Sequence, residues 1–123
     1  MLVSVLKNEP EAIERVGSLE ESGAKLSTTV INAYELLKGA SIPSRAQENL
    51  IKVRSLISTL QVLELSPGEC EEASRIYEEQ RERGRMIGEF DILIAAIARF
   101  HDETIVTRDE VFKSIRGTKT IKW

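Results

Sequence analysis

Residues 90–100 constrain the fold more than any other part of the sequence, because they are apolar on nearly every helical face. Asp91 and Arg99 are the charged residues among them. A helix that is apolar all round is normally central and covered by other elements. The segment is much shorter than the roughly 20 apolar residues that cross a bilayer. We therefore predict a buried central helix in a globular domain that has no membrane partner.

The composition supports one domain over residues 1–123 that needs no covalent staples. Hydrophobic residues make up 41% of the chain and charged residues 30%, which excludes a disordered or membrane-spanning protein. The single cysteine, Cys70, excludes a disulfide framework and a thiolate zinc cluster. Its place on an apolar helix stripe predicts a core residue. The sequence shows no signal peptide, so the expected compartment is the cytoplasm.

Helices and short β segments alternate along the chain. Capping residues and apolar periodicity predict helices that begin at Asn8, at Thr28 or Thr29, at Ser44, at Ser66 and at residue 90. The helix that begins at Ser66 is predicted to bury Cys70, Ala73, Ile76 and Tyr77. Strands are predicted over residues 24–27, 61–65, 104–107 and 118–122, and a short helix over residues 109–113. This alternation indicates an α/β fold around a mainly parallel sheet, in which sites lie at the carboxyl ends of the strands.

Three carboxylates stand in places that differ from ordinary solvated helix faces. Asp91 opens the apolar helix, Glu35 lies among apolar neighbours on a short helix, and Asp109 follows a predicted strand. Together they suggest a site for a hard cation, since Mg²⁺ prefers oxygen ligands. Metal ions of this kind activate water in phosphodiester cleavage. A net charge of −3 argues against binding nucleic acid through a broad basic face, but it leaves such an enzyme open.

Simpler roles account for several reactive side chains. A helix cap explains Asp91 and Asp109 without any chemistry. His101 is the only histidine in the sequence, so a metal site built from two or more histidines is excluded. It follows the apolar helix, and we predict that it caps the end of that helix.

Three stretches in order carry a family likeness. Residues 27–40 (STTVINAYELLKGA) form a threonine-led helix that contains Glu35. Residues 87–96 (IGEFDILIAA) place Asp91 before an isoleucine-alanine-alanine run, and residues 105–112 (IVTRDEVF) place Thr107 and Asp109 after a strand. In these stretches the chain resembles the PIN domain family and, within it, the VapC ribonuclease toxins of type II toxin–antitoxin pairs.

The resemblance implies a three-layer α/β/α sandwich with a short, mainly parallel sheet. It also implies a metal-dependent endoribonuclease, in which Glu35, Asp91 and Asp109 are the catalytic residues and hold Mg²⁺ or Mn²⁺. Thr107 is then a supporting hydroxyl. The implied partners are an RNA substrate, a cognate VapB-like antitoxin and a second copy of the chain.

Five basic residues are candidates for guiding the phosphate backbone of RNA. They lie at the end of the helix that begins at Ser66 and near the end of the chain, and they are Arg81, Arg83, Arg85, Lys113 and Arg116. The ordinary alternative is that all five are charges on solvated faces.

The N-terminus departs from the family pattern. Family members begin with a strand that ends in an aspartate, whereas residues 2–6 here resemble the helix start after that aspartate, and no acidic residue precedes Glu9. The resemblance thus implies that the first strand and the first ligand are missing. One hypothesis is an upstream reading frame that supplies them. The other is that residues 1–6 form a substitute strand in a weakly active member.

Two other functions remain open at this point. The chain could be a catalytically impaired PIN-like module that binds RNA or an antitoxin without cleaving. A phosphoacceptor receiver ranks last, because receivers carry a lysine after a late strand and this chain has Arg108 and Asp109 there.

Overall fold

The computed structural model describes residues 10–41 and 46–122. The chain divides into two compact units, one up to Leu63 and one from Glu64 to Lys122. The predicted helix starts at Asn8 and Ser44, and the predicted substitute strand over residues 1–6, lie outside the described residues. Within the described ranges, no helix is long and apolar enough to cross a membrane. A single domain over residues 1–123 stays a prediction.

Over residues 10–41 and 46–63, the first unit contains three helices and a two-stranded parallel sheet. In chain order its elements are α1 (Pro10–Glu21), β1 (Ser27–Thr29), α2 (Val30–Ala40), α3 (Ala46–Ser58) and β2 (Gln61–Leu63). In the sheet, Ser27 of β1 lies opposite Gln61 of β2, and Thr29 lies opposite Leu63. The strands that were predicted over residues 24–27 and 61–65 are therefore wrong in their bounds.

The end of α1 explains why the first strand begins late. Gly23 takes a positive φ of 83°, a conformation that glycine adopts without steric cost. The backbone N–H of Ala24 then bonds back to the Leu19 carbonyl at 3.0 Å and closes the helix end. Ala24 therefore belongs to this helix end and not to the strand, which begins at Ser27.

Thr29 ends β1 and begins α2, as one of the two predicted caps. Its side chain accepts a hydrogen bond from the Asn32 backbone N–H at 3.1 Å. Thr28, the other candidate, is a buried strand residue instead. Below the cap, α2 packs on α3 through a core cluster whose buried members are Leu36, Ala40 and Val53. Val53 thus places the middle of α3 against α2.

Loss of the Thr29 cap is expected to destabilise the protein. Replacement of Thr29 by alanine removes the acceptor for an N–H at the helix start, which costs about 1 kcal/mol of unfolding free energy. Chemical denaturation of the wild type and of Thr29→Ala measures the change. Thr29→Ser, which keeps the hydroxyl, should recover most of the loss, and equal losses in the two variants would mean that the cap contributes nothing.

The second unit contains two long helices and a second two-stranded parallel sheet. Its elements are α4 (Pro67–Glu82), α5 (Glu89–Phe100), β3 (Thr104–Thr107), a 3₁₀ helix (Glu110–Ser114) and β4 (Lys119–Lys122). In the sheet, Thr104 lies opposite Lys119 and Thr107 opposite Lys122. Helix α5 packs on α4, on β3 and on the 3₁₀ helix. The predicted buried helix is confirmed over its central turns, where Ile92 and residues 94–98 are buried.

The buried face of α4 differs from the prediction. Ala73 and Ile76 are buried as expected, but Cys70 and Tyr77 are exposed, so the prediction that Cys70 is a core residue is wrong. The helix instead buries two polar side chains, Glu69 and Gln80. Each of these buried polar groups has a hydrogen-bonding partner. The Gln80 amide donates to the Arg85 carbonyl at 2.9 Å, and Glu69 contacts His101.

Candidate active site

Asp91 lies in the first turn of α5 and not at its cap. Gly88 is the N-cap, so of the simpler roles open to Asp91 the cap position itself is not the one it takes. The half-buried Asp91 carboxylate turns back toward the helix start: its Oδ2 lies 3.6 Å from the point where a Cβ on Gly88 would stand. The positive end of the helix dipole stabilises a negative charge there.

Asp109 does cap the 3₁₀ helix, as one of its two predicted roles. Its Oδ1 accepts a hydrogen bond from the Val111 backbone N–H at 3.0 Å. Its own backbone N–H donates to Thr107 Oγ1 at 2.9 Å, so Thr107 orients the Asp109 backbone. Within the described residues no donor reaches Asp109 Oδ2, and the side chain is exposed. One carboxylate oxygen therefore fixes the turn while the other stays available to a ligand.

Glu35 belongs to the first unit, whereas Asp91 and Asp109 belong to the second. Helix α2 buries Ala33, Leu36 and Ala40, and Glu35 lies on its exposed side. The apolar neighbours in sequence therefore do not shield the Glu35 carboxylate.

The donor chemistry of the second unit fits a hard cation. Asp91 and Asp109 offer carboxylate oxygens, the ligands that Mg²⁺ and Mn²⁺ prefer. Both lie on elements in mutual contact, because α5 packs on β3 and on the 3₁₀ helix that Asp109 caps. Over the described residues, neither unit gathers three histidine, cysteine or acidic side chains into a metal-binding group.

Three of the five predicted basic residues make contacts of their own. Arg81 pairs with Glu78 at 3.0 Å, and this hydrogen-bonded contact raises the pKa of Arg81 above its ordinary value. Lys113 pairs with Glu110 at 3.1 Å, which lowers the pKa of Glu110. The third, Arg83, donates from Nη1 to a backbone carbonyl, that of Ser114, at 2.7 Å.

Arg85 and Arg116 differ from those three. Both residues are exposed, and their side chains make no hydrogen bond or ion pair within the part of the chain that the structure describes. They are thus the two candidates whose guanidinium groups are already accessible to a phosphate.

Arg99 is the residue to which the sequence assigned no role. Its guanidinium donates from Nε to Glu72 Oε1 at 2.7 Å and from Nη1 to Glu79 Oε2 at 3.1 Å. Nη1 also reaches the Arg116 carbonyl at 2.8 Å. Burial by itself would lower the pKa of Arg99, but the hydrogen bonds that Arg99 donates to Glu79 and Glu72 outweigh burial and raise it. A single cation in an otherwise apolar helix was the available signal.

His101 caps the end of α5, as predicted, and it has a buried partner. Its Nε2 lies 3.4 Å from Glu69 Oε2, and the Glu69 side chain is 5% exposed. Burial alone would raise the pKa of Glu69, but hydrogen bonds from the backbone of Glu69 and Ser66 and the contact with His101 lower it.

The lowered pKa of Glu69 gives the unfolding free energy a pH dependence. A carboxyl whose pKa is lower when folded stabilises fully above its unfolded pKa, and the contribution is lost as the pH falls through the folded value. The wild type should therefore lose stability below about pH 4.3, the ordinary glutamate pKa. Denaturation of wild type and Glu69→Gln across that range measures the effect. The difference between them should shrink on acidification, and a constant difference would contradict the expectation.

A PIN domain family model matches residues 1–117 of the chain. The tRNA(fMet)-specific endonuclease VapC of Shigella flexneri is 26% identical over 122 residues, which cover 98% of this chain and 91% of that protein. The DNA-bound VapBC structure from Salmonella typhimurium matches with a TM-score of 0.89 at 28% identity, over 99% of this chain and 92% of that one.

A third match concerns the fold alone. VapBC2 from Rickettsia felis, bound to a DNA fragment from its promoter, matches with a TM-score of 0.91 at 23% identity, over 99% of this chain and 92% of that one. The predicted fold class, an α/β PIN-like architecture with small parallel sheets, is confirmed by these structural matches and by the strand pairing. The chain belongs to the PIN domain family.

Proposed function

We propose that this chain is a metal-dependent endoribonuclease that hydrolyses RNA phosphodiester bonds, and that it is the toxin of a type II toxin–antitoxin pair. The observation that carries the proposal is the PIN domain match over residues 1–117, a span that includes Glu35, Asp91 and Asp109. The relative from Shigella flexneri supports it, because that protein is named as an endonuclease specific for tRNA(fMet).

In this proposal Asp91 and Asp109 hold Mg²⁺ or Mn²⁺. The half-buried Asp91 carboxylate offers its charge at a helix start, and Asp109 offers the oxygen that does not cap the 3₁₀ helix. Thr107 keeps the Asp109 backbone in place through its hydroxyl. Glu35, on the first unit, is proposed as a further ligand on the strength of the family resemblance. A bound divalent cation lowers the pKa of water and stabilises charge that develops on phosphate oxygens.

The basic residues divide by how readily they can meet RNA. The side chains of Arg85 and Arg116 make no hydrogen bond or ion pair within the described residues, so they can bind a phosphate without breaking one. Arg81 and Lys113 must exchange an acidic partner for a phosphate, which costs little because water screens exposed ion pairs. All four are proposed to contact the backbone of the RNA and not its bases, since phosphate contacts position a strand without reading its sequence.

Protein partners form the other part of the proposal. The solved structures that the chain resembles are VapBC assemblies, so we propose a VapB-like antitoxin as the cognate partner, and a second copy of the chain as another. Exposed large apolar side chains are the surfaces that such partners cover. In the first unit they are Val30, Tyr34 and Ile51.

RNA cleavage by the purified chain tests the proposal. Structured RNA is incubated with the protein in Mn²⁺, in Mg²⁺ and in excess EDTA, and products are resolved by size. Discrete fragments with either metal, and none with EDTA, are the expected result. Cleavage that persists in EDTA would contradict metal dependence.

A catalytically impaired module is the second candidate function. It is favoured by the side chains that the structure describes, among which no three histidine, cysteine or acidic residues form a group that could hold a metal ion. Fluorescence anisotropy with labelled RNA separates the two functions. Tight RNA binding without cleavage in either metal would favour the impaired module and count against the ribonuclease.

A further inference from the structure

We propose that Arg99 and Arg83 are positioning residues, which hold the segment that carries Asp109 against helices α4 and α5. The inference rests on the proposed function, in which Asp109 is a metal ligand. It also gives Arg83 a role other than the RNA contact that the sequence suggested.

Arg99 joins three parts of the second unit. Its side chain is 15% exposed, and two carboxylates of α4, those of Glu72 and Glu79, orient the guanidinium plane. The planar guanidinium has five N–H donors in a fixed fork, so fixing two of its directions fixes the others. Nη1 then reaches the Arg116 carbonyl at 2.8 Å. The backbone at residue 116 is thereby held at a set position relative to both helices.

Arg83 holds the same segment from a second point. It is the C-cap of α4, and its Nη1 donates to the Ser114 carbonyl at 2.7 Å. Two guanidinium groups, from the ends of different helices, thus bond to backbone carbonyls two residues apart. Gly117 follows with a positive φ of 74°, and a Cβ there would lie 3.4 Å from Arg99 Cδ. The chain therefore turns directly over the Arg99 stem, where glycine is the residue that fits.

The 3₁₀ helix (Glu110–Ser114) directly connects the clamped segment to Asp109, its N-cap. A 3₁₀ helix has poorer hydrogen-bond geometry than an α-helix, so this short one gains stability from its anchors. Phe112 and Ile115, both buried, are the apolar anchors, and the two guanidinium contacts are the polar ones. The Val111 N–H of this helix bonds to Asp109 Oδ1, so the carboxylate keeps its direction while the helix holds its place.

The Arg99 contacts also fix the position of Asp109 relative to Asp91. Arg99 and Asp91 lie on one helix, eight residues and roughly 12 Å apart along its axis. A packed α-helix moves as a unit, so anchoring the Asp109 segment to Arg99 also sets its place relative to the Asp91 carboxylate. When residues that orient metal ligands in this way are removed, the metal affinity typically falls by roughly 10- to 100-fold.

Two variants and a matched control test the inference. Arg99→Lys keeps the charge but loses the planar fork, and Arg83→Gln removes the contact with Ser114. Arg75→Gln is the control, because Arg75 also bonds to Glu72, at 2.8 Å, but is largely exposed. Backbone amide hydrogen exchange is measured by NMR under conditions in which all variants are folded. Exchange at Val111 and Asp109 should rise roughly tenfold in both test variants, relative to Ile97 in the core of α5, and stay unchanged in the control.

Mn²⁺ affinity is the second measurement on the same proteins. The dissociation constant should rise roughly 10- to 100-fold in Arg99→Lys and Arg83→Gln and not in Arg75→Gln. Exchange that rises equally at Ile97 and Val111, or that is unchanged in both variants, would overturn the inference. A wild type that binds no Mn²⁺ would contradict the proposed function instead, and the exchange rates would still decide whether the two arginines hold Asp109.

Discussion

Replacement of Asp109 by asparagine is expected to lower the rate of RNA cleavage by more than about 100-fold and to leave the fold intact. Asparagine keeps an Oδ1 that can accept from the Val111 N–H, and it is as good a helix cap as aspartate. It loses the negative charge, which a bound divalent cation requires. Loss of a direct ligand should exceed the roughly 10- to 100-fold effects of residues that merely support one.

Glu103→Gln is the matched control for this variant. Glu103 is an exposed carboxylate of the second unit, between α5 and β3, and it has no place in the proposed site. Cleavage rates are compared at saturating RNA, with thermal unfolding as the check on folding. Asp91→Asn should resemble Asp109→Asn, and Glu103→Gln should resemble the wild type. Wild-type rates in either aspartate variant would mean that its carboxylate is not a ligand.

The second large effect is expected at Arg99. Replacement of Arg99 by methionine leaves the Glu72 and Glu79 carboxylates without their shared buried partner and removes the donor to the Arg116 carbonyl. Breaking a buried ion pair by removing one partner costs about 3–5 kcal/mol. Since the Arg99 side chain is still 15% exposed, the lower end, about 3 kcal/mol of unfolding free energy, is the expected loss.

Arg75→Met is the control that tests whether burial causes the loss of stability in Arg99→Met. Arg75 pairs with the same Glu72 carboxylate at 2.8 Å, but its side chain is 59% exposed. An exposed pair of this kind contributes less than about 1 kcal/mol. Urea denaturation of both variants measures the two losses. Equal losses would show that the Arg99 contacts stabilise the protein no more than a surface ion pair does.

Local signals in the sequence predicted local structure well. The strand over residues 104–107 has the predicted bounds, because a short apolar run there ends at a cap residue, Asp109. The cap at Thr29 and the buried turns of α5 follow from similar short-range patterns. The failure at Cys70 comes from a partner that is distant in sequence. Cys70 was expected in the core, but Glu69 takes the buried place next to it because His101, 32 residues away, satisfies its charge.

The same distinction holds at the candidate site. Thr107 and Asp109 are two residues apart, so their mutual support was visible in the motif. The Arg99 network was not visible in the sequence, because its partners Glu72 and Glu79 precede it by 27 and 20 residues. These carboxylates come close to Arg99 only when α4 packs on α5. The contact of Arg83 with the Ser114 carbonyl, 31 residues away, is equally invisible in the sequence, where Arg83 is predicted only as a candidate RNA contact.

Direct measurement of metal binding tests the central claim, that these carboxylates bind the cation with which the protein cleaves RNA. Electron paramagnetic resonance detects free Mn²⁺ during titration of the wild type, of Asp109→Asn and of the Asp91→Asn/Asp109→Asn double variant. We expect that the wild type depletes free Mn²⁺, that Asp109→Asn binds it more weakly, and that the double variant leaves it free. Equal depletion by all three proteins would contradict the account.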